Sequence, residues 1–235
     1  MNTLTKMILS VGKDLAQAAE EFYSRRPSSA LQGELQRRTL RETADFVEAS
    51  MPNALFCVDK FAHLEYVAKL SGQGLVMEFG VYKGYTINHL AKLLPHQTIY
   101  GFDSFRGLPD IWHGHRYSKK NFDQKGRKPN VLSNVELIEG WFDETVSLFV
   151  KEKKAQVAIA HIDCDIYSST STVLNALAPF ITKGTLIIFD EFFNYPGYKN
   201  HEYKAFFEFI EKTGLEYDFV SFAGQQVCVR FTNIS

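Results

Sequence analysis

Apolar positions along the chain follow two different periods, and their alternation predicts strands interleaved with helices. Residues 75–79 form an almost continuous apolar run, whereas residues 85–94 carry apolar side chains at the three-and-four spacing of a helical face. Glycines at positions 80 and 84 mark a turn between them. A strand, a glycine turn and a helix open a βαβ unit, in which backbone amides at the helix start face a ligand.

Further apolar runs and helical periods follow along the chain. The run at 157–163 is apolar nearly throughout, as is typical of a central parallel strand covered on both faces. We predict helices at 59–70, 143–154, 167–180 (capped by Ser168 or Ser169) and 201–212, and strands at 98–103, 135–138, 184–190 and, as a terminal hairpin, 216–222 and 225–231. Together these elements predict an α/β fold in one domain.

Residues 1–60 are predicted to form extra N-terminal helices outside this pattern. One amphipathic helix precedes a break around Pro27, and a second helix covers about residues 32–48. We expect this segment to be a cover on the substrate side, an oligomer contact or a helical wrap for the sheet, and residues 61–235 to form the main body.

Residues 104–130 are irregular and lack an apolar period. A connection of this length in a compact domain indicates a lid or binding loop. Trp112, His113, His115 and Tyr117 are the residues within it that we expect to contact a substrate. The two histidines have no partner ligands in the sequence, so we do not predict a metal site there.

Composition narrows the possible partners and the compartment. The chain has 235 residues, of which 45% are hydrophobic, and its net charge is -1, so we expect no nucleic-acid partner. It has three widely spaced cysteines and no apolar run long enough to span a membrane, and its first residues lack a long apolar stretch and a small-residue cleavage site, so we expect no signal peptide. We therefore expect a soluble, cytoplasmic protein with no membrane partner.

Two features after the first strand suggest a nucleoside ligand without a pyrophosphate. Asp103 ends the second strand, where an acid can accept hydrogen bonds from ribose hydroxyls. Tyr82 stands where the dinucleotide fingerprint has its central glycine, which disfavours nicotinamide and flavin cofactors. Trp141 is either a flat surface for a purine ring or a cap on the core.

Three acids follow two strands that we expect to be neighbours: Asp163 follows one, and Asp190 and Glu191 follow the other. Carboxyl ends of parallel strands meet at one edge of a sheet, where open α/β sheets bind ligands. Carboxylates crowded there repel one another unless a cation lies between them, and Mg²⁺ prefers such oxygen ligands. The sequence favours a magnesium site over the alternative, a set of solvated loop acids that cap helices.

An ordered set of motifs resembles the macrocin O-methyltransferase family. These motifs are E-x-G-V-x-x-G at 78–84, G-F-D-S-F-x-G-L-P at 101–109, G-W-F at 140–142, H-I-D-C-D-x-Y-S-S-T at 161–170 and D-E-F at 190–192. The resemblance covers roughly residues 75–233. It implies a Rossmann-like class I methyltransferase fold, a mostly parallel seven-stranded sheet with an antiparallel last strand and helices on both faces.

The resemblance also implies an activity, a cofactor and a set of site residues. The expected protein is an S-adenosylmethionine-dependent O-methyltransferase that uses Mg²⁺ and methylates a hydroxyl of a sugar or glycosylated small molecule. Asp163, Asp190 and Glu191 match the family's metal ligands, with Glu191 where the family commonly has Asp or Asn. Together with the motifs, the resemblance gives a cofactor-binding set of Glu78, Phe79, Gly80, Tyr82, Gly84, Thr86, Asp103, Ser104, Gly140, Trp141 and Asp163.

The expected chemistry is an in-line methyl transfer to oxygen, with Asp163 or Asp165 as the catalytic base. Two alternatives stay open at this point. One is an NAD(P)-dependent oxidoreductase, and the other is a non-catalytic protein that binds S-adenosylmethionine. The aromatic content and the N-terminal helices lead us to expect a homo-oligomer, a dimer or larger.

Overall fold

A computed structural model describes residues 27–112 and 120–233 of the chain. The expected helix before Pro27 and the expected contacts of His113, His115 and Tyr117 lie outside these residues. No helix in the part that the structure describes is long and apolar enough to cross a bilayer.

The described residues form one eight-stranded mixed sheet. Its order is β1-β7-β8-β6-β5-β2-β3-β4, and β8 runs antiparallel to both of its neighbours while the other pairings are parallel. The strands are β1 (Leu55–Phe56), β2 (Leu75–Phe79), β3 (Ile99–Asp103), β4 (Val135–Glu139), β5 (Val157–Ile162), β6 (Leu186–Phe189), β7 (Glu216–Ala223) and β8 (Gln226–Asn233).

This sheet confirms the seven predicted strands and adds one that was not predicted. The additional strand, β1, pairs with the outer edge of β7 over two residues. Two residues are too few to show a period, so the sequence could not reveal it.

Helices cover both faces of the sheet. They are α1 (Pro27–Ser50), α2 (Lys60–Leu70), α3 (Tyr85–Leu93), α4 (Phe142–Lys153), α5 (Tyr167–Leu177) and α6 (Glu202–Thr213), with short 3-10 turns at Ala178–Phe180 and Tyr198–Asn200. Buried residues of α2 and α3 join one apolar cluster with one face of the sheet, and those of α4, α5 and α6 join a second cluster with the other.

Helix α1 extends beyond its predicted bounds and attaches to the α6 side of the molecule. Phe46 is its anchor, with ring centroids 5.6 Å from Phe219, 5.8 Å from Tyr203 and 6.4 Å from Phe192. Because Phe192 follows Glu191 directly, this aromatic cluster lies immediately behind the predicted acids.

The predicted cap of α5 is wrong. The helix has Ile166 at its N-cap position without a side-chain hydrogen bond, and Ser168 and Ser169 lie within its first turn. Asp165 adopts a positive φ of 65°, and the backbone N–H of Ile166 donates to the carbonyl of Cys164 at 2.7 Å. This tight turn starts the helix directly after β5.

Candidate active site

A cleft of about 1000 Å³ opens at the carboxyl ends of the parallel strands. Its size is at the upper end of the usual range for small-molecule sites. The predicted site residues that line it are Gly80, Tyr82, Asp103, Ser104, Gly140, Trp141, Asp163, Asp165, Asp190 and Glu191. The cleft therefore brings the expected cofactor residues and the expected acids to one place.

The glycine turn after β2 depends on the absence of a side chain at Gly80. Gly80 has a φ of +96°, and a Cβ built there would lie 1.7 Å from the carbonyl oxygen of Asp163. The turn can approach the end of β5 this closely only with glycine at that position. Gly80 thus links the wall of the cleft at β2 to the acid that follows β5.

Asp103 ties the end of β3 to this turn. Its Oδ2 accepts the backbone N–H groups of Val81 at 2.9 Å and Tyr82 at 2.8 Å, and its Oδ1 accepts that of Phe105 at 2.7 Å. A carboxylate has about four acceptor positions, so one remains for a ligand hydroxyl. The sequence predicted the ligand contact but gave no sign of the three backbone bonds.

Trp141 forms a flat, half-buried part of the cleft wall just before α4. Gly140 precedes it with a φ of +145°, and a Cβ there would meet Cγ2 of Thr145 at 2.7 Å. The glycine therefore lets the chain turn tightly against the first turn of α4, which leaves the indole ring at the cleft.

Four residues of the predicted cofactor set lie behind the cleft wall rather than on it: Glu78, Phe79, Gly84 and Thr86. Glu78 is fully buried, where it accepts a hydrogen bond from Oγ1 of Thr86 at 3.0 Å and lies 2.9 Å from Nδ1 of His161. Phe79 stacks on Phe102 in the core. The hydrogen bond from Thr86 to Glu78 thus connects the first turn of α3 to β2 inside the protein.

The acids after β5 and β6, together with His161 of β5, form two overlapping groups among the described residues. In one, ligand atoms of Asp163, Asp165 and Glu191 all lie within 4.8 Å of one another, and in the other those of His161, Asp163 and Asp190 do. The predicted set of Asp163, Asp190 and Glu191 is thus divided between them, with Asp165 as an additional member.

The residues of the first group fit a magnesium ion. All three offer carboxylate oxygens, the ligands that this hard cation prefers. Oε2 of Glu191 is buried and has no hydrogen-bond partner in the described part of the chain. Such an oxygen is costly to bury alone, and a bound cation would satisfy it.

Burial and, after it, the crowding of negative charges raise the pKa values of these acids. Burial and the nearby Asp190 raise the pKa of Asp163 and of Glu191 well above their usual range. Burial, together with the charges of Asp190 and Asp103, raises the pKa of Asp165 to about 7. Without a cation this cluster tends to hold protons, and Asp165 can exchange one near neutral pH.

Asp190 differs from its neighbours because it faces cationic groups. Burial opposes its ionisation, but His161, 3.5 Å away, and Lys60 outweigh burial and lower the pKa of Asp190 to about 2. Burial likewise opposes charge on His161, yet Asp190 and Glu78 raise its pKa to about 10. A charged pair of His161 and Asp190 therefore lies at the base of the cleft.

Lys60 and Phe122 line the cleft, but sequence reasoning did not select them. Lys60 is the first residue of α2, far along the chain from the acids it faces, so no local motif reveals it. Phe122 packs its ring on that of Tyr82 at 5.5 Å. Trp112 of the long loop also lines the cleft. A residue that is predicted to contact a substrate has to lie there.

Comparison with known proteins agrees with this architecture. Residues 77–192 match the family described as a methyltransferase domain. A solved structure of a calicheamicin methyltransferase is 25% identical, with a TM-score of 0.58 over 72% of this chain and 77% of that one. The chain has the class I methyltransferase fold.

Two further proteins resemble this chain, one in sequence and one in structure. The demethyldecarbamoylnovobiocin O-methyltransferase of Streptomyces niveus is 25% identical over 163 residues, which cover 59% of this chain and 61% of that protein. The chain thus spans about three fifths of the length of this curated relative. The structure of the O-methyltransferase NovP, 19% identical with a TM-score of 0.54 over 74% of this chain and 79% of that one, supports the fold alone.

Proposed function

We propose that the protein is an S-adenosylmethionine-dependent O-methyltransferase that acts, with Mg²⁺, on a hydroxyl of a sugar or glycosylated small molecule. The proposal rests on one observation. A single cleft contains both Asp103 and Trp141, which suit a nucleoside, and the acid cluster after β5 and β6. The motifs that resemble the macrocin O-methyltransferases support a sugar-bearing acceptor, and the relatives named for novobiocin and calicheamicin support methyl transfer to a small molecule.

The cofactor would lie along the wall from Gly80 to Trp141. Asp103 has one acceptor position left for a ribose hydroxyl, and the indole of Trp141 offers a stacking surface for adenine. The turn at Gly80 lies beside Asp163, so a methyl group held at this turn would be close to the acids. Bound S-adenosylmethionine supplies the electrophilic methyl.

The acceptor would lie at the acid end of the cleft. Mg²⁺ held by Asp163, Asp165 and Glu191, or by Asp163 and Asp190, would orient the acceptor hydroxyl and lower its pKa. Where Asp163 and Asp190 hold the ion, Asp165 is left as the carboxylate that takes the hydroxyl proton. Alignment of the hydroxyl with the methyl would supply much of the rate enhancement.

The proposal is tested by calorimetry and by methyl transfer. S-adenosylhomocysteine should bind to the protein and NADH should not, which separates this proposal from an oxidoreductase. Turnover of a panel of sugar hydroxyl compounds should cease after exhaustive chelation and return with Mg²⁺. Full turnover after chelation would contradict the role of the metal, and cofactor binding without any turnover would favour a non-catalytic protein.

Asp163→Asn is the variant that probes the acid cluster. It should abolish metal-dependent turnover and leave the affinity for S-adenosylhomocysteine largely intact, because the amide keeps the shape but loses the charge. Asp218→Asn, an exposed acid on β7 away from the cleft, is the matched control and should behave as the wild type. Equal turnover in both variants would contradict the assignment.

We also propose a cytoplasmic homo-oligomer in which the N-terminal segment covers the site or contacts a second subunit. All three cysteines are buried and free, which suits a reducing compartment. Leu31, Leu35 and Leu40 of α1 are exposed, at 60%, 43% and 55% of their surface, as expected of a helix with a further partner. Light scattering of the full chain tests the oligomer.

A further inference from the structure

A chain of buried polar side chains that do not line the cleft ends at Asp190. Nε2 of His63 lies 2.8 Å from Oγ of Ser221, and Nδ1 of His63 lies 3.0 Å from Oε1 of Gln226. Nε2 of Gln226 donates to Oδ1 of Asp190. Ser221, His63 and Gln226 are at most 2% exposed, so no bulk water competes for these bonds.

The hydrogen bonds in this chain have only one consistent direction. The carboxylate of Asp190 can only accept, so Gln226 presents its amide N–H there and its carbonyl oxygen to His63. His63 must then donate from Nδ1, which leaves Nε2 to accept the hydroxyl proton of Ser221. Each donor has one acceptor, and the chain fixes the amide orientation of Gln226.

This arrangement treats the two oxygens of Asp190 differently. Oδ1 receives Gln226 and also lies 3.5 Å from Nε2 of His161. Oδ2 makes no hydrogen bond within residues 27–112 and 120–233. The side chain of Asp190 is 10% exposed, and it lines the cleft. One oxygen is held inward while the other is left for a ligand.

We infer that Ser221, His63 and Gln226 are positioning residues that fix the carboxylate of Asp190 with Oδ2 toward the cleft. The inference rests on the proposed function, in the arrangement in which Asp163 and Asp190 hold the cation. All three residues lie outside the matched region 77–192: His63 is on α2, Ser221 is on β7 and Gln226 begins β8. The register that places Phe189 opposite Val227 brings Gln226 beside Asp190.

The physical effect of the chain is to restrict rotation of a carboxylate. Without Gln226, Asp190 could turn both oxygens toward His161, with which it forms an ion pair. A cation would then have to rotate the carboxylate back before it could bind. Loss of partners that orient a metal ligand commonly costs about 10–100-fold in metal affinity.

Gln226→Met tests the inference because it keeps the length of the side chain and removes its amide. Mn²⁺, which accepts the same oxygen ligands, is the probe, and its binding is measured by calorimetry on the full chain. We expect Mn²⁺ affinity to fall by about 10–100-fold while the affinity for S-adenosylhomocysteine stays at the wild-type value. The Mn²⁺ measurement needs no turnover.

Thr185→Val is the matched control for a buried hydrogen-bonding group. Thr185 directly precedes β6, whereas Asp190 directly follows that strand. Oγ1 of Thr185 donates to the carbonyl of Val157 at 2.7 Å. The variant should lose stability and keep the wild-type Mn²⁺ affinity. Equal Mn²⁺ losses in Gln226→Met and Thr185→Val would overturn the inference, because they would trace the effect to general destabilisation.

Two substitutions of His63 distinguish a role in positioning Asp190 from a role in packing. His63→Asn keeps a donor near the position of Nδ1 and should retain most of the Mn²⁺ affinity. His63→Leu removes the donor and should lose affinity as Gln226→Met does. Identical behaviour of the two His63 variants would overturn the inference.

Failure of the proposed function has a separate signature. If the wild type binds S-adenosylhomocysteine but no Mn²⁺, the metal part of the proposed function fails, and crystal structures decide the inference. A rotated Asp190 carboxylate in Gln226→Met would support positioning, and an unchanged rotamer would overturn it. If the wild type binds Mn²⁺ and Gln226→Met binds it equally well, the inference alone fails.

Discussion

At the scale of single residues, the acids that follow β5 and β6 face side chains from distant parts of the chain. Asp163 and Asp190 follow apolar runs directly, so their place at the sheet edge follows from local sequence. Lys60 and Gln226 reach the same place only through the packing of α2 and the register of β8 against β6. No spacing in the sequence encodes these contacts.

Gly80→Ala is expected to damage both stability and cofactor binding. The new Cβ would collide with a backbone carbonyl, which cannot move without distorting the end of β5. We expect a loss of at least about 2 kcal/mol in the free energy of unfolding. Urea denaturation and titration with S-adenosylhomocysteine measure the two effects.

Gly214→Ala separates the collision from backbone strain. Gly214 also has a positive φ, +68°, but no atom lies within 4 Å of a built Cβ. This control should cost only about 1 kcal/mol and should leave cofactor binding unchanged. Similar effects of the two substitutions would contradict the steric explanation.

His63 makes stability depend on pH on the acid side. Burial lowers the pKa of His63 below its usual 6.5. Below that pH the unfolded chain takes up a proton that the folded chain resists, so stability should fall as the pH decreases below about 6.5. The slope can reach about 1.4 kcal/mol per pH unit.

Urea unfolding at several pH values between neutral and mildly acidic measures this effect. The wild type should lose more stability on acidification than His63→Asn, which has no group that titrates there. Parallel pH profiles of the two proteins would show that His63 is not held neutral.

At the scale of elements, the period of the apolar residues predicted well which segments are strands, which are helices and in what order they follow along the chain. Buried parallel strands such as β5 appear as apolar runs, and α4 and α6 begin and end close to their predicted bounds. The differences have local causes. Strand β1 is too short for a period, and the turn at Asp165 starts α5 before its serines.

Helix α2 is the element whose start matters most for the site, because it carries both Lys60 and His63. Asp59 caps it, and its Oδ1 accepts the N–H groups of Phe61 and Ala62 at 2.9 Å each. Asp59→Ala should lower the free energy of unfolding by about 1 kcal/mol, since two donors lose their acceptor. Denaturant titration measures this loss, and Asp59→Asn, which keeps a cap, should recover most of it.

At the scale of the whole molecule, the class I sheet was predictable and its attachment to α1 was not. The family resemblance implied a mostly parallel sheet with an antiparallel last strand, whereas nothing in the sequence indicated that the partners of Phe46 come from β7, α6 and the segment after β6. Aromatic residues are frequent along the chain, so their pairing becomes clear only in three dimensions.

Phe46→Ala is expected to loosen α1 from the body of the protein. The loss of a large ring from an aromatic cluster should cost about 2 kcal/mol or more. Because Phe192 belongs to this cluster and follows Glu191, Mn²⁺ binding should weaken as well. Thermal unfolding and calorimetry measure both, and Glu48→Ala on the exposed side of α1 should change neither.

The path from Ser221 to Asp190 has a consequence for modular engineering. A chimera that transfers only residues 77–192 into another scaffold would carry Asp190 without the amide of Gln226 and the imidazole of His63. Its Asp190 would be present in sequence but free to rotate. The smallest portable unit of this site is therefore the segment from α2 to β8, and grafts with shorter boundaries should bind the cofactor but bind Mn²⁺ poorly.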